Sequence, residues 1–145
     1  MIEQYIPSVV TYPRDIPNGA EKLASARILV VDDERLVRWA VGETLRSQGY
    51  EIVEAADAES ARRAILSDAP DLVLLDLRLP DSDDLGLVFF IRAHVPQTPV
   101  VLMTAFGTSE ILAQAVALGV VTLAKPFDIN ELTWIVESTV APRLA

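Results

Sequence analysis

The stretch VLLDLRLP, Val73–Pro80, decides how the chain is read. Val73, Leu74 and Leu75 are three consecutive apolar residues, as in a strand covered on both faces, and the run stops at Asp76, with Pro80 and Asp81 turning the chain soon after. Asp76 therefore stands at the carboxyl end of a buried strand. In open α/β sheets the ligand crevice lies outside those ends, so an acid there is placed for chemistry. An Asp that merely closes a strand in a turn fits the same local pattern, and other stretches must separate the two readings.

The same ending recurs upstream. Ile28–Val31, ILVV, is a continuous apolar run that stops at Asp32, Asp33 and Glu34. Val37, Ala40, Val41, Thr44, Leu45 and Gln48 follow at spacings of three and four, the mark of a helix with one buried face, and Gly49 supplies its stop. Glu51–Ala55 reads as a short strand, and Asp57 caps a helix from Ala58 to about Leu66, ended by Pro70. Downstream of Asp76 come a helix over Leu85–Ala93, a strand over Val100–Met103 ending on Thr104, and a helix opened by Gly107, Thr108 and Ser109. That helix reaches Leu118 and closes at Gly119. A fifth strand over Val120–Leu123 ends near Lys125 and Pro126, and Asp128 caps a last helix with Ile129, Leu132, Val136 and Val140 on one face.

Five β-then-α units in succession specify a doubly wound five-stranded parallel sheet with five helices, in a single α/β domain. The domain spans residues 26–141, after an N-terminal extension of residues 1–25 and before a C-terminal tail of residues 142–145. The extension carries Pro7, Pro13, Pro17 and Gly19 without sustained periodicity and is expected to be flexible. Right-handed crossovers would gather the ends of strands one, three, four and five at one edge, bringing Asp32, Asp33, Asp76, Thr104 and Lys125 together.

Composition narrows the function classes. With 145 residues and 51% hydrophobic content the chain has the material for one full core. Its 21 acids against 12 bases give a net charge of -9, which argues against direct nucleic-acid binding and against anionic membrane surfaces. The absence of Cys excludes thiolate metal sites and nucleophiles. No signal-peptide pattern or apolar run of membrane-spanning length is present, so a cytoplasmic setting is expected.

Three converging carboxylates repel one another unless a cation or raised pKa values relieve the charge. An all-oxygen ligand set favours a hard divalent ion, and Mg²⁺ prefers a few carboxylates with waters and a phosphoryl oxygen. A Lys and a Thr beside such an ion can hold the remaining phosphoryl oxygens, which suits phosphoryl transfer onto a carboxylate.

These residues resemble the receiver domain of two-component response regulators. The resemblance rests on VVDDE at 30–34, LLDLRLPD at 74–81, MTAFG at 103–107 and AKPFD at 124–128, in the family's order and spacing over residues 27 to about 141. Around RWAVGETL and TAFG the wording is most similar to the NtrC-like branch, whose members usually feed an ATPase and a DNA-binding domain. The resemblance implies a flavodoxin-like, CheY-like fold with strand order 2-1-3-4-5, and a signalling domain whose chemistry is confined to its own phosphorylation and dephosphorylation. It further implies that a histidine kinase or phosphotransfer protein phosphorylates Asp76, and that Asp33, Asp76 and the main-chain carbonyl of Arg78 ligate Mg²⁺, with Asp32 helping mostly through water. Lys125 would pair with the phosphoryl group and Thr104 would donate its hydroxyl to it. Pro126 would follow a cis peptide.

Two positions depart from the family pattern. Receivers commonly carry Tyr or Phe three residues before the Lys, where this chain has Thr122, after a loop one residue short. The Gly usually found eight residues after the phosphorylated Asp is Asp84, and Asp81, Asp83 and Asp84 add negative charge near the site. A phosphorylation-independent pseudo-receiver acting as an interaction scaffold is the alternative reading. A phosphohydrolase is disfavoured because its usual second Asp two residues on is Arg78 here. The helix over 110–118 has more apolar positions than one stripe needs, and with Trp134 it makes a candidate homodimer or effector face, tight packing on the sheet being the other reading. Arg38, Arg46, Arg62 and Arg63 read as solvated helix faces, and His94 as a surface residue. A chain ending just past the fifth helix reads as a stand-alone regulator or an excised receiver.

Overall fold

The computed structural model describes residues 26–82, 85–105 and 108–144. The extension over residues 1–25, together with Asp83, Asp84 and Gly107, lies outside the described residues.

Strands and helices alternate throughout. They are β1 (Arg27–Val31), α1 (Arg35–Ser47), β2 (Glu51–Ala55), α2 (Ala58–Ser67), β3 (Leu72–Asp76), α3 (Gly86–His94), β4 (Val100–Thr104), α4 (Ser109–Ala117), β5 (Val121–Ala124) and α5 (Ile129–Leu144). The strands form one parallel sheet in the order β2-β1-β3-β4-β5. No helix among the described residues is long and apolar enough to cross a membrane.

Side chains alternate across the sheet and divide the core in two. On one face Leu29, Val31, Val73, Leu75, Val100 and Leu102 pack against Ala61 and Ile65 of α2, Leu87, Val88 and Ile91 of α3, and Ala115 of α4. On the other, Ile28, Val30, Leu72, Leu74, Val101 and Met103 meet Val41 and Leu45 of α1 and Leu132, Ile135, Val136 and Val140 of α5. Leu74 and Leu75 are buried on opposite faces, and each contributes about 1.5–3 kcal/mol. Every residue of β3 and β4 is buried, whereas only Leu123 of β5 is.

The helix ends follow from local chemistry. Asp57 accepts a hydrogen bond from the Ser60 amide at 2.8 Å and starts α2. Asp128 accepts from the Glu131 amide at 2.8 Å while Glu131 accepts from the Asp128 amide at 3.1 Å, a reciprocal capping box. Gly49 and Gly119 take positive φ values of 98° and 73° where α1 and α4 end.

Two expectations need revision. Ile129 is exposed and Ile135 joins Leu132, Val136 and Val140 in the buried stripe of α5, because Ile129 is the first residue of the helix and burial starts three residues later, at Leu132. Arg38 is no solvated side chain: it is 17% exposed, and its guanidinium is bonded to Glu54 and to the Asp32 carbonyl.

Candidate functional site

Register places the site. Val31 lies beside Leu75, Asp76 beside Met103, and Thr104 beside Ala124, so β1, β3, β4 and β5 end within two residues of one level at the same edge of the sheet. The residues at or just past those ends are Asp32, Asp76, Thr104 and Lys125. The five side chains singled out from the sequence thus come to one edge, and carboxylate oxygens of Asp32, Asp33 and Asp76 lie within 4.8 Å of one another.

Each acid has a different setting. Asp32 is fully buried; its Oδ1 accepts from the Glu34 amide at 2.8 Å and its Oδ2 from Lys125 Nζ at 2.7 Å. Asp33 is exposed. Asp76 is 7% exposed, and its Oδ1 accepts from the Arg78 amide at 3.2 Å, so the chain folds back over the carboxylate in an Asx turn. Thr104 is also nearly buried, and its main-chain carbonyl accepts from the Lys125 amide at 2.9 Å. The peptide between Lys125 and Pro126 is cis, as expected from the sequence.

Lys125 is shared among three of the acids. Besides Asp32, its Nζ lies 3.6 Å from Asp76 Oδ2 and 3.6 Å from Glu34 Oε1. Burial alone would lower its pKa, but the hydrogen bond to Asp32 and the charges of Asp32, Asp76 and Glu34 hold it above the ordinary value. One ammonium does not balance the acids. Burial pushes the Asp76 carboxyl up to about 6; the Arg78 amide and Lys125 oppose that rise, and the charges of Asp32 and Asp33 add to it.

The donor set fits a hard divalent cation. Three carboxylates, one of them solvent-facing, supply only oxygen, and a crowded carboxylate with a raised pKa is what such an ion would relieve.

Two residues of the site escaped the sequence reading. Glu34 was noted only as part of the acidic strand ending, yet it reaches Lys125. Arg38 donates from Nη1 to the Asp32 carbonyl at 2.8 Å, and its spacing from Asp32, one helical turn into α1, was the available signal. Asp81 goes the other way. Instead of adding charge to the site, its Oδ1 and Oδ2 accept from the amides of Ala58 and Glu59 at 2.8 and 3.0 Å, at the start of α2.

The surface beside β5 is apolar. Val116 of α4 is 72% exposed and Trp134 of α5 65% exposed, with Val121 of β5 between the two helices in sequence and also exposed. Thr122, at the position where receivers commonly place an aromatic ring, is exposed as well.

Comparison with known proteins agrees with this geometry. Residues 28–137 match the family model described as the response regulator receiver domain. The chain is 38% identical over 112 residues to the regulatory protein AtoC of Escherichia coli, covering 77% of this chain and 24% of AtoC. It is 32% identical over 111 residues to sporulation initiation phosphotransferase F of Bacillus subtilis, covering 76% of this chain and 90% of that protein. Among solved structures it is similar to the receiver domain of NtrX from Brucella abortus, with TM-score 0.73, 38% identity, and coverage of 78% of this chain and 97% of that one. Its strand order, its acid cluster and the extent of these matches agree: the chain belongs to the receiver-domain family of two-component response regulators.

Proposed function

We propose that Asp76 accepts a phosphoryl group from a histidine kinase or phosphotransfer protein, and that the phosphorylated domain switches a partner-binding face. The observation that carries this reading is the position of the Asp76 carboxylate. It ends a fully buried strand, within 4.8 Å of two further carboxylates and 3.6 Å from Lys125 Nζ.

With its pKa near 6, Asp76 is largely ionised at pH 7 and able to act as a nucleophile. A carboxylate oxygen forms the new O–P bond while the donor's N–P bond breaks, its electron pair staying on the donor imidazole. Lys125 offsets charge on the phosphoryl oxygens and Thr104 donates its hydroxyl to one of them. Asp33, Asp76 and the Arg78 carbonyl would hold Mg²⁺, with Asp32 engaged through water. Bound there, Mg²⁺ would neutralise negative charge on the phosphoryl group. The domain acts on itself and turns over no external substrate.

The exposed Val116, Val121 and Trp134 supply the face read by an effector or by a second copy of the chain. Output of the AtoC kind is part of this proposal, since the chain spans only 24% of that regulator.

The test is intact-mass analysis after incubation with acetyl phosphate and Mg²⁺. One phosphoryl group is expected on the wild-type chain and none on Asp76→Asn. Labelling that survives the substitution rejects Asp76 as acceptor. Size-exclusion before and after labelling reads the partner face.

A further inference from the structure

We propose that Arg38 is a positioning residue that aims Asp33 at the metal, an inference that rests on the reading of Asp33 as a ligand. Asp33 is solvent-facing, and the point from which its carboxylate projects is set by the backbone of the turn that carries it. The β1–α1 turn that carries it is held at the main chain: the Asp32 amide donates to the Ala55 carbonyl at 3.1 Å, and the Arg38 amide to the Glu34 carbonyl at 2.9 Å. Between these anchors, Arg38 Nη1 grips the Asp32 carbonyl at 2.8 Å. That oxygen belongs to the planar peptide unit shared with the Asp33 nitrogen, so gripping it fixes the plane from which the Asp33 side chain projects.

Arg38 is itself fixed. Its Nε donates to Glu54 Oε1 at 3.1 Å, and the two side chains are only 17% and 28% exposed. A planar guanidinium can hold a carboxylate on β2 and a carbonyl on the turn simultaneously, which a lysine ammonium on a flexible stem does less rigidly. The edge strand β2 thereby becomes the reference against which the acidic turn is set.

Charge and position predict opposite signs. A guanidinium held on the acidic turn repels an incoming cation, so if charge were its only influence, removing it would tighten Mg²⁺ binding. If it positions Asp33, removing it loosens binding.

The experiment is calorimetric titration of the intact chain with MgCl₂ alone, with folding checked by circular dichroism. Arg38→Met is expected to weaken Mg²⁺ binding about tenfold, the scale seen when a group orienting a metal ligand is lost. Arg46→Met removes the other Glu54 partner without touching Asp32 and is expected to bind as the wild type does. Unchanged or tighter binding by Arg38→Met, or an equal loss in Arg46→Met, overturns the inference. If Arg38→Met does not fold, Glu54→Gln replaces it, with weakened binding expected and unchanged binding overturning the inference. A wild-type chain that binds no Mg²⁺ instead overturns the metal-site reading beneath it.

Discussion

Asp76 and Asp57 stand at the ends of the two strands that flank β1 in the sheet, Asp76 closing β3 and Asp57 lying two residues past β2, yet their surroundings pull them in opposite directions. Asp57 and nearby Asp81 are met by donors: the Ser60 amide and hydroxyl on one, the Ala58 and Glu59 amides on the other. The start of α2 offers N–H groups with no partner inside the helix, and a carboxylate there is stabilised as an anion. Asp32, Asp33 and Asp76 are met chiefly by one another, with Lys125 as their close cation. One group of acids contributes stability to the fold. Burial and like-charge crowding in the other detract from it.

The contrast can be broken by substitution. The largest expected effect is a gain: in metal-free buffer at pH 7, Asp76→Asn raises stability by on the order of 2 kcal/mol, read from the urea midpoint. The sign follows from the raised pKa. Between the ordinary value of 3.8 and about 6 the folded chain binds the Asp76 proton more tightly than the unfolded chain. That contribution is fully present below the lower value and lost as pH rises through the upper one. The wild-type urea midpoint therefore falls between pH 4 and 6, and Asp76→Asn flattens that slope. Next in size, Asp81→Ala lowers stability by about 1–2 kcal/mol, since two first-turn amides lose their acceptor. Faster amide exchange at Ala58 and Glu59 should accompany it, and a gain in stability would erase the distinction between the two groups. Asp57→Ala should give the smallest change, a loss. The Ser60 hydroxyl and then its amide hold the Asp57 pKa below 3.8, so its contribution is present above that value and lost as pH falls through the lowered one. Acid titration below pH 4 should show a fall in the wild type that is shallower in Asp57→Ala.

Periodicity and end signals made the architecture legible. Apolar runs of three or four residues closed by a polar residue marked β1, β3 and β4, and Asp57, Asp128, Gly49 and Gly119 marked helix ends through chemistry confined to a few neighbouring residues. The clustering of Asp32, Asp33, Asp76, Thr104 and Lys125 was legible because parallel strands joined by right-handed crossovers all end on one edge. Contacts that depend on register were not. The Arg38 bridge exists because Val31 pairs with Ala55, which sets Glu54 beside the acidic turn. Asp81 reaches Ala58 across 23 residues of chain, and its role follows from how the β3–α3 loop leans, which no local pattern encodes. The exposure of Ile129 was misread because helical spacing identifies a stripe but not where the sheet beneath it ends.

The strand order has a consequence for synthesis. Asp32, Asp33 and Asp76 lie on or just after β1 and β3, which pair directly with each other, while Thr104 ends β4 and Lys125 follows β5, later in the chain. A nascent chain emerging N-terminus first therefore exposes its acids before the cation that faces them has been made. The grouping of Asp32, Asp33, Asp76, Thr104 and Lys125 is complete only when β4 and then β5 have docked.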